Sequence, residues 1–287
     1  MLNYGLVYAF LVLAFGGIDG ILAKYIIKRL GKHRYALMVL GIGILPMLAY
    51  VAFAGIAGLG LDMLLLSLGS STFLAAGYIL YYKGVETQQI TNISALGVVQ
   101  PAIIFIFGIL VLGEGMNSLE IAGGAAIFIG AALLLLTEKM EVNFMLVPII
   151  LANASWAVYW IIMSYAIASY GAFSMPLIIA RAFAFVLILA YSFAFGKMED
   201  GIKNMSSAAG FALLLLVVAS GVFDGLVNIF FGAVINVGLV AIGSAIVAGT
   251  PILTAVLGRL AFRDKLTTLQ KIGFLIAVLG SVAIAVS

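Results

Sequence analysis

Long apolar runs alternate with short polar connections along the whole chain. Ten such runs stand out, at about 3–27, 35–57, 63–83, 90–112, 119–137, 144–167, 174–195, 207–232, 237–261 and 269–286. Each is long enough, as a helix, to cross a hydrocarbon core of ~30 Å. Helices are the elements expected, because open strands would leave backbone groups without partners in lipid. The fifth and tenth runs begin alike, with the capping-box patterns Asn117-x-x-Glu120 and Thr267-x-x-Gln270. Pro101 and Pro251 fall inside the fourth and ninth runs, and each is expected to kink its helix by removing a backbone hydrogen bond.

The same pattern occurs twice. A shift of 150 residues carries Ser94-Ala95 onto Ser244-Ala245, Pro101 onto Pro251, and Gly108-x-Leu110 onto Gly258-x-Leu260. It also carries Glu114 onto Asp264, Leu119 onto Leu269, Gly123 onto Gly273 and Gly130 onto Gly280, with no gap from about residue 84 onward. Equivalent prolines, acids and glycines at one offset predict a duplicated unit of five helices, residues 1–140 and 141–287.

The charges orient the two units. Of the 14 Lys and Arg residues, 13 lie in or beside alternate loops: Lys24, Lys28, Arg29, Lys32 and Arg34 at the first, Lys83 at the third, Lys139 at the fifth, Lys197 and Lys203 at the seventh, and Arg259, Arg263, Lys265 and Lys271 at the ninth. The positive-inside rule therefore places the odd loops in the cytoplasm and both termini outside. Five helices are an odd number, so the second unit enters the membrane upside down. The loop carrying Glu114 has no basic residue, and its equivalent around Asp264 is strongly basic. The expected fold is an all-α integral membrane protein, ten transmembrane helices as two inverted five-helix repeats around a central cavity, an architecture many secondary transporters share.

Composition narrows the chemistry. Of 287 residues, 65% are hydrophobic and 9% are charged, against about 25% charged in a soluble domain. There is no cysteine, hence no disulfide or thiol chemistry, and one histidine, His33, sits in a basic loop. No HExxH, P-loop, GxGD or Ser–His arrangement is present, so neither an enzyme nor a metal or cofactor site is expected. The net charge of +3 belongs to loops and does not point to nucleic acid. The first apolar run lacks a basic leader and is long enough to span, so no cleavable signal peptide is expected.

The candidate site residues are those expensive to place in lipid. Asp19 and Asp224 lie within the first and eighth helices, where a central Asp costs ~2.5–3.5 kcal/mol, so each is expected to face a cavity or a partner. Both sit in one local context, Gly16-x-x-Asp19-Gly20 and Gly221-x-x-Asp224-Gly225, whose glycines allow close approach. Proton carriage, cation coordination and pairing with a substrate ammonium are all open to them. Asn228 and Phe231 share the Asp224 face, and the first-unit counterpart of that face is Leu74, Tyr78 and Tyr81, with Ser71 above it. Asn153, Trp156, Tyr159 and Trp160 supply an amide and aromatic rings on the sixth helix, able to hold a cationic or planar substrate. Arg181 is the single basic residue inside a span; pairing with Asp19 or Asp224, binding an anion, or reaching the interface are its alternatives. Gln100, Thr250 and Ser244 lie near the prolines, while capping or structural pairing is expected of Glu114 and Asp264.

The run Pro101 to Gly130, P-x6-G-x-L-x3-E-x8-G-x6-G, resembles the signature of EamA-type members of the drug/metabolite transporter superfamily, and Pro251 to Gly280 resembles it again with Asp264 as the acid. The aromatic-rich sixth helix, with Trp156-Ala157-Val158-Tyr159-Trp160, is similar to the start of the second such unit. The resemblance spans essentially the whole chain. It implies ten helices in two inverted halves, a central cavity, and transport of small polar metabolites, often outward. Phe15 and Asp19 depart from it, since many relatives have Trp at the first position and an uncharged residue at the second. The expected function is a secondary active, alternating-access exporter of a small amine-bearing metabolite in the cell membrane, coupled to protons through Asp19 or Asp224. A lipid head-group flippase and an uncoupled facilitator or exchanger are the alternatives. The expected partners are the substrate, protons and the bilayer, with the protein a monomer or weak dimer.

Overall fold

The computed structural model describes residues 2–55, 60–87, 93, 96–135, 147–195, 208–262 and 268–287. These form helices α1 (Leu2–Leu30), α2 (Lys32–Ile42), α3 (Ile44–Ala54), α4 (Leu61–Thr87), α5 (Val99–Leu110), α6 (Ser118–Leu135), α7 (Val147–Tyr170), α8 (Ser174–Ala194), α9 (Ala208–Asn236), α10 (Val240–Val247), α11 (Thr250–Phe262) and α12 (Thr268–Val286). No strand occurs among the described residues. Seven helical stretches are long and apolar enough to cross a bilayer: Tyr4–Leu30, Lys32–Phe53, Leu61–Val85, Val147–Tyr170, Ser174–Ala194, Gly210–Asn236 and Val240–Gly258. Val99–Leu110, Ser118–Gly130 and Lys271–Ile284 are shorter apolar helices. Large apolar side chains such as Phe53, Leu110, Phe193 and Leu279 lie on the outside, as lipid-facing surface requires.

Three of the expected long helices are interrupted. The second run divides at Gly43, where Pro46 has no N–H for the carbonyl of Ile42 and its ring crowds that turn. The ninth divides at Ala248-Gly249, just ahead of Pro251. Pro101 likewise falls in the first turn of α5, after a turn at Gly97-Val98. The prolines thus start new helical pieces instead of bending continuous ones, because a first turn already lacks N–H partners.

The packing follows the repeat. α4 lies along α7, and α1 lies along α9; α4 meets α8 as α9 meets α2 and α3; α5 meets α7 as α1 meets α10 and α11. Each of these contacts has its mate under exchange of the two units. Helices α6 and α12, which are each other's equivalents, pack together on glycine. A Cβ on Gly123 would stand 2.7 Å from the Gly280 carbonyl oxygen, and one on Gly130 would strike the Gly273 carbonyl. Seven residues forward on one helix is seven back on the other, so this pair runs antiparallel where it touches. With little hydrophobic drive between helices in lipid, such backbone contact is what holds them.

Helix ends carry the expected caps where they are described. Asn117 Oδ1 accepts from the Leu119 and Glu120 backbone N–H groups at 2.9 Å, and Glu120 Oε2 accepts from Asn117 N at 2.6 Å. This is the full reciprocal box; Thr267 and the Gln270 side chain lie outside the described residues. Glu114 reaches across to another unit, accepting from Val240 N at 2.8 Å and Ala241 N at 2.7 Å at the start of α10. Burial raises its carboxyl above the ordinary value, and the two backbone donors pull it back down. Its counterpart Asp264 lies outside the described residues. Glu114→Ala strands both N–H groups and is expected to cost about 1–2 kcal/mol; Glu114→Gln, which keeps one acceptor, should lose less in thermal unfolding of the detergent-solubilised protein.

Candidate functional site

A cavity of about 190 Å³ opens between the halves. It is smaller than the ~300–1,000 Å³ of drug-sized pockets, which suits a small metabolite. Both units build its wall. Tyr81 and Phe231, Gly97 and Val247, Gln100 and Thr250, Pro101 and Pro251, and Ile104 and Thr254 all line it, and the members of each pair are 150 residues apart. The helix interruptions supply polar wall without charge. Pro101 and Pro251 have no N–H to give the carbonyls of Gly97 and Val247, four residues back. Thr250 Oγ1 is buried with no hydrogen-bond partner among the described residues.

The two acids enter from helices packed on each other, α1 and α9. Asp224 accepts the Tyr78 hydroxyl at 2.8 Å through both carboxylate oxygens and forms an ion pair with Arg181 Nη2. Arg181 is 1% exposed. Its Nε donates to the Leu40 carbonyl at 2.9 Å and its Nη2 to the Val39 carbonyl at 2.8 Å, at the end of α2. Glycine makes this seat. A Cβ on Gly43 would stand 2.6 Å from Arg181 Cζ, and one on Gly225 would strike the Gly43 carbonyl. The interruption at Gly43 therefore serves the arginine, presenting carbonyls to it and leaving room for the guanidinium.

Asp19 is held differently. Ser220 Oγ donates to Asp19 Oδ1, and the Tyr35 hydroxyl lies 2.5 Å from Ser220 Oγ, so a chain Tyr35 to Ser220 to Asp19 is set up wholly inside the protein. Among the described residues Asp19 has no ion-pair partner. Tyr82 lies between the two networks, its ring 4.9 Å from Tyr35 and 5.6 Å from Tyr78. The glycines flanking Asp19 admit α11, with Thr250 Cγ2 at 3.3 Å from a Cβ on Gly16 and Thr254 Cγ2 at 3.3 Å from one on Gly20.

Aromatic rings close the rest of the wall. Trp156 stands 5.5 Å from Tyr78 and 5.0 Å from Tyr81, and Trp160 stands 4.7 Å from Phe231. Gly77 of α4 leaves the space that the Trp156 indole fills.

Of the residues singled out in the sequence, Asp19, Tyr78, Tyr81, Asn153, Trp156, Trp160 and Asp224 reach the cavity wall, as do Gln100 and Thr250. Asn153 Nδ2 is spent on the Ile149 carbonyl at 2.8 Å. Three sit behind the wall. Arg181 holds Asp224, while Tyr159 donates to Asn228 Oδ1 at 3.4 Å and Asn228 turns its Nδ2 back to the Asp224 carbonyl at 2.9 Å. Ser244 is buried near the α10–α11 interruption, and Phe15 stacks on Phe223 at 5.3 Å, away from the cavity. Sequence reasoning missed Tyr35, Ser220 and Tyr82. Ser220 could have been found, since it immediately precedes the Gly221-x-x-Asp224 motif; Tyr35 and Tyr82 carry no signal beyond being tyrosines at span ends.

No curated protein sequence matches the chain. One crystal structure superposes with a TM-score of 0.73 over 97% of this chain and 95% of its own, at 16% identity; at that identity the likeness shows the fold alone. The model of the EamA-like transporter family matches residues 3–136 and again 143–286. Two matched units, together nearly the whole length of a multi-pass helical membrane protein, place the cavity in a transporter: the chain belongs to the EamA-like transporter family.

Proposed function

We propose that this transporter is a secondary carrier working by alternating access, in which residues 1–140 and 141–287 are inverted five-helix repeats and the cavity is the transport site. The observation that carries this reading is the pairing of cavity-wall residues at a constant offset of 150, from Tyr81 and Phe231 to Ile104 and Thr254. A site built by related segments of both units can open to either side when one unit rocks against the other. The antiparallel contact of α6 with α12 supports the inversion, and the basic residues of the odd loops support a cytoplasmic position for those loops. The cargo is a small polar metabolite bearing an amine, carried outward. Asp19 is the group best suited to couple that movement to protons, because it faces the cavity and has, among the described residues, a hydroxyl partner and no ion-pair partner.

The test is substrate-driven proton movement in liposomes holding the purified protein, across amino acids, polyamines, nucleosides and quaternary amines. Asp19→Asn is expected to abolish the proton signal while labelled substrate still equilibrates. Proton movement that survives this substitution would remove Asp19 from the coupling role. Equilibration of substrate without any proton signal in the unaltered protein would leave an uncoupled exchanger.

A further inference from the structure

We infer that the cavity selects a monovalent organic amine cation lacking a carboxylate, and rejects amino acids. This rests on the transport reading above and narrows it to one chemical class. The charge on the wall carries the argument. Among the described residues two carboxylates line the cavity, and no Lys, Arg or His does. Arg181 is the basic group held against one of those carboxylates, and it is spent behind the wall on Asp224 and on the Val39 and Leu40 carbonyls. Its Nη1 has no partner among the described residues, yet it too is buried and off the wall. Asp224 is thus compensated from behind, and Asp19 faces the cavity as a carboxyl with no ion-pair partner among the described residues, carrying one negative charge once its proton has left. A single cation balances it.

The neutral part of the wall agrees. The carbonyls of Gly97 and Val247, freed by the prolines, can only accept. The rings of Tyr81, Trp156 and Phe231 add π surface, which attracts a cation, while the donors of the same wall, at Tyr81, Gln100, Trp156 and Thr250, are neutral and cannot balance an anion's charge. One of the two Asn153 amide N–H bonds is already turned to the Ile149 carbonyl. The carboxylate of an amino acid would enter with no charged donor to meet it and with Asp19 nearby, in a site of low polarisability where an unpaired charge is most costly. An amine of the same carbon skeleton keeps the favourable half of that molecule and drops the unfavourable half.

Trp156 and Trp160 are the chain's two tryptophans, and both line the cavity. Intrinsic fluorescence of the purified full-length chain in detergent therefore reports occupancy without any flux. Three probes share one skeleton: 3-methylbutylamine, leucine and 4-methylpentanoate carry the amine alone, both groups, and the carboxylate alone. The amine is expected to change the emission saturably and to bind at least about tenfold more tightly than leucine, with the anion without effect. Asp19→Asn should weaken the amine at least about tenfold, while Asp19→Glu, which keeps the charge, retains measurable binding; thermal unfolding of both variants checks that they are folded. Leucine binding as tightly as the amine, saturable binding of the anion, or no saturable response to the amine overturns the inference. Flux of the same probes in liposomes separates the two claims. An amine that binds but is not carried sinks the carrier reading alone, and leucine that is carried while the amine fails to bind sinks this selectivity alone.

Discussion

Asp224→Asn is expected to destabilise the protein by about 3–5 kcal/mol, the cost of leaving one partner of a buried ion pair alone. Asparagine keeps the shape of the side chain and can still accept the Tyr78 hydroxyl, so packing is nearly unchanged. What changes is the charge: Arg181, 1% exposed, would remain as a guanidinium among neutral acceptors, the Val39 and Leu40 carbonyls and the new amide, with its counter-charge gone. Arg181→Met should cost a comparable amount by stranding the carboxylate. Arg181→Lys should not rescue it, because one ammonium cannot reach two carbonyls and a carboxylate as the planar fork does. Removing both charges, in Arg181→Met with Asp224→Leu, should recover most of the loss, since the penalty for desolvating the pair disappears with the pair. Thermal unfolding in detergent, read as a double-mutant cycle, gives the coupling directly. Single variants that each melt within about 1 kcal/mol of the unaltered protein would show that the pair contributes no more than an exposed surface bridge.

That pair also shows where sequence reading stops. Arg181 and Asp224 were both visible as charges in apolar runs, and burial cost alone predicted that each has a partner or a cavity. Which partner was not visible, because the choice depends on how α8 meets α9 and on the interruption at Gly43. That interruption follows from Pro46 three residues later, but helical periodicity reads straight through it, and the run was expected to be continuous. The parts of the fold fixed by local chemistry were legible: the Asn117–Glu120 box formed as its spacing requires, and the glycines at one offset proved to be the contact between α6 and α12. The cavity wall was legible where polarity is costly in lipid, at Asp19 and Asp224, and where aromatic rings cluster on one helix, at Trp156 and Trp160. It was not legible at Ser220 and Tyr35, whose hydroxyls are neutral and common in membrane helices and take on meaning only through the 201 residues separating Ser220 from Asp19. Helical spacing also assigned Asn228 to the face of Asp224 correctly, and could not say that a carbonyl and Tyr159 would claim it before the cavity did.

Gly130→Leu is expected to be the most damaging substitution outside the ion pair, at or beyond the upper end of the ~1–3 kcal/mol typical of overpacking. A Cβ there strikes the Gly273 carbonyl and stands 2.7 Å from Ala277 Cβ and 2.8 Å from Ala277 N. Two of these three atoms are backbone, and backbone inside a helix cannot swing aside as a long side chain can. The helices must separate, and in lipid nothing apolar draws them back, since acyl chains cover leucine as well as a neighbouring helix does. Gly69→Leu is the matched comparison: Gly69 is exposed on α4 with nothing within 4 Å of its Cβ, so the same added side chain should leave thermal unfolding nearly unchanged. The repeat sharpens the test further. Gly280 is the equivalent of Gly130, and its Cβ would meet the Gly123 carbonyl at 2.5 Å, so Gly280→Leu should cost about what Gly130→Leu costs. Equal losses at these two positions and none at Gly69 would be the thermodynamic signature of one contact used twice. A loss at only one of them would mean that the two equivalent helices do not share the load, and that the contact between them is symmetric in sequence without being symmetric in energy.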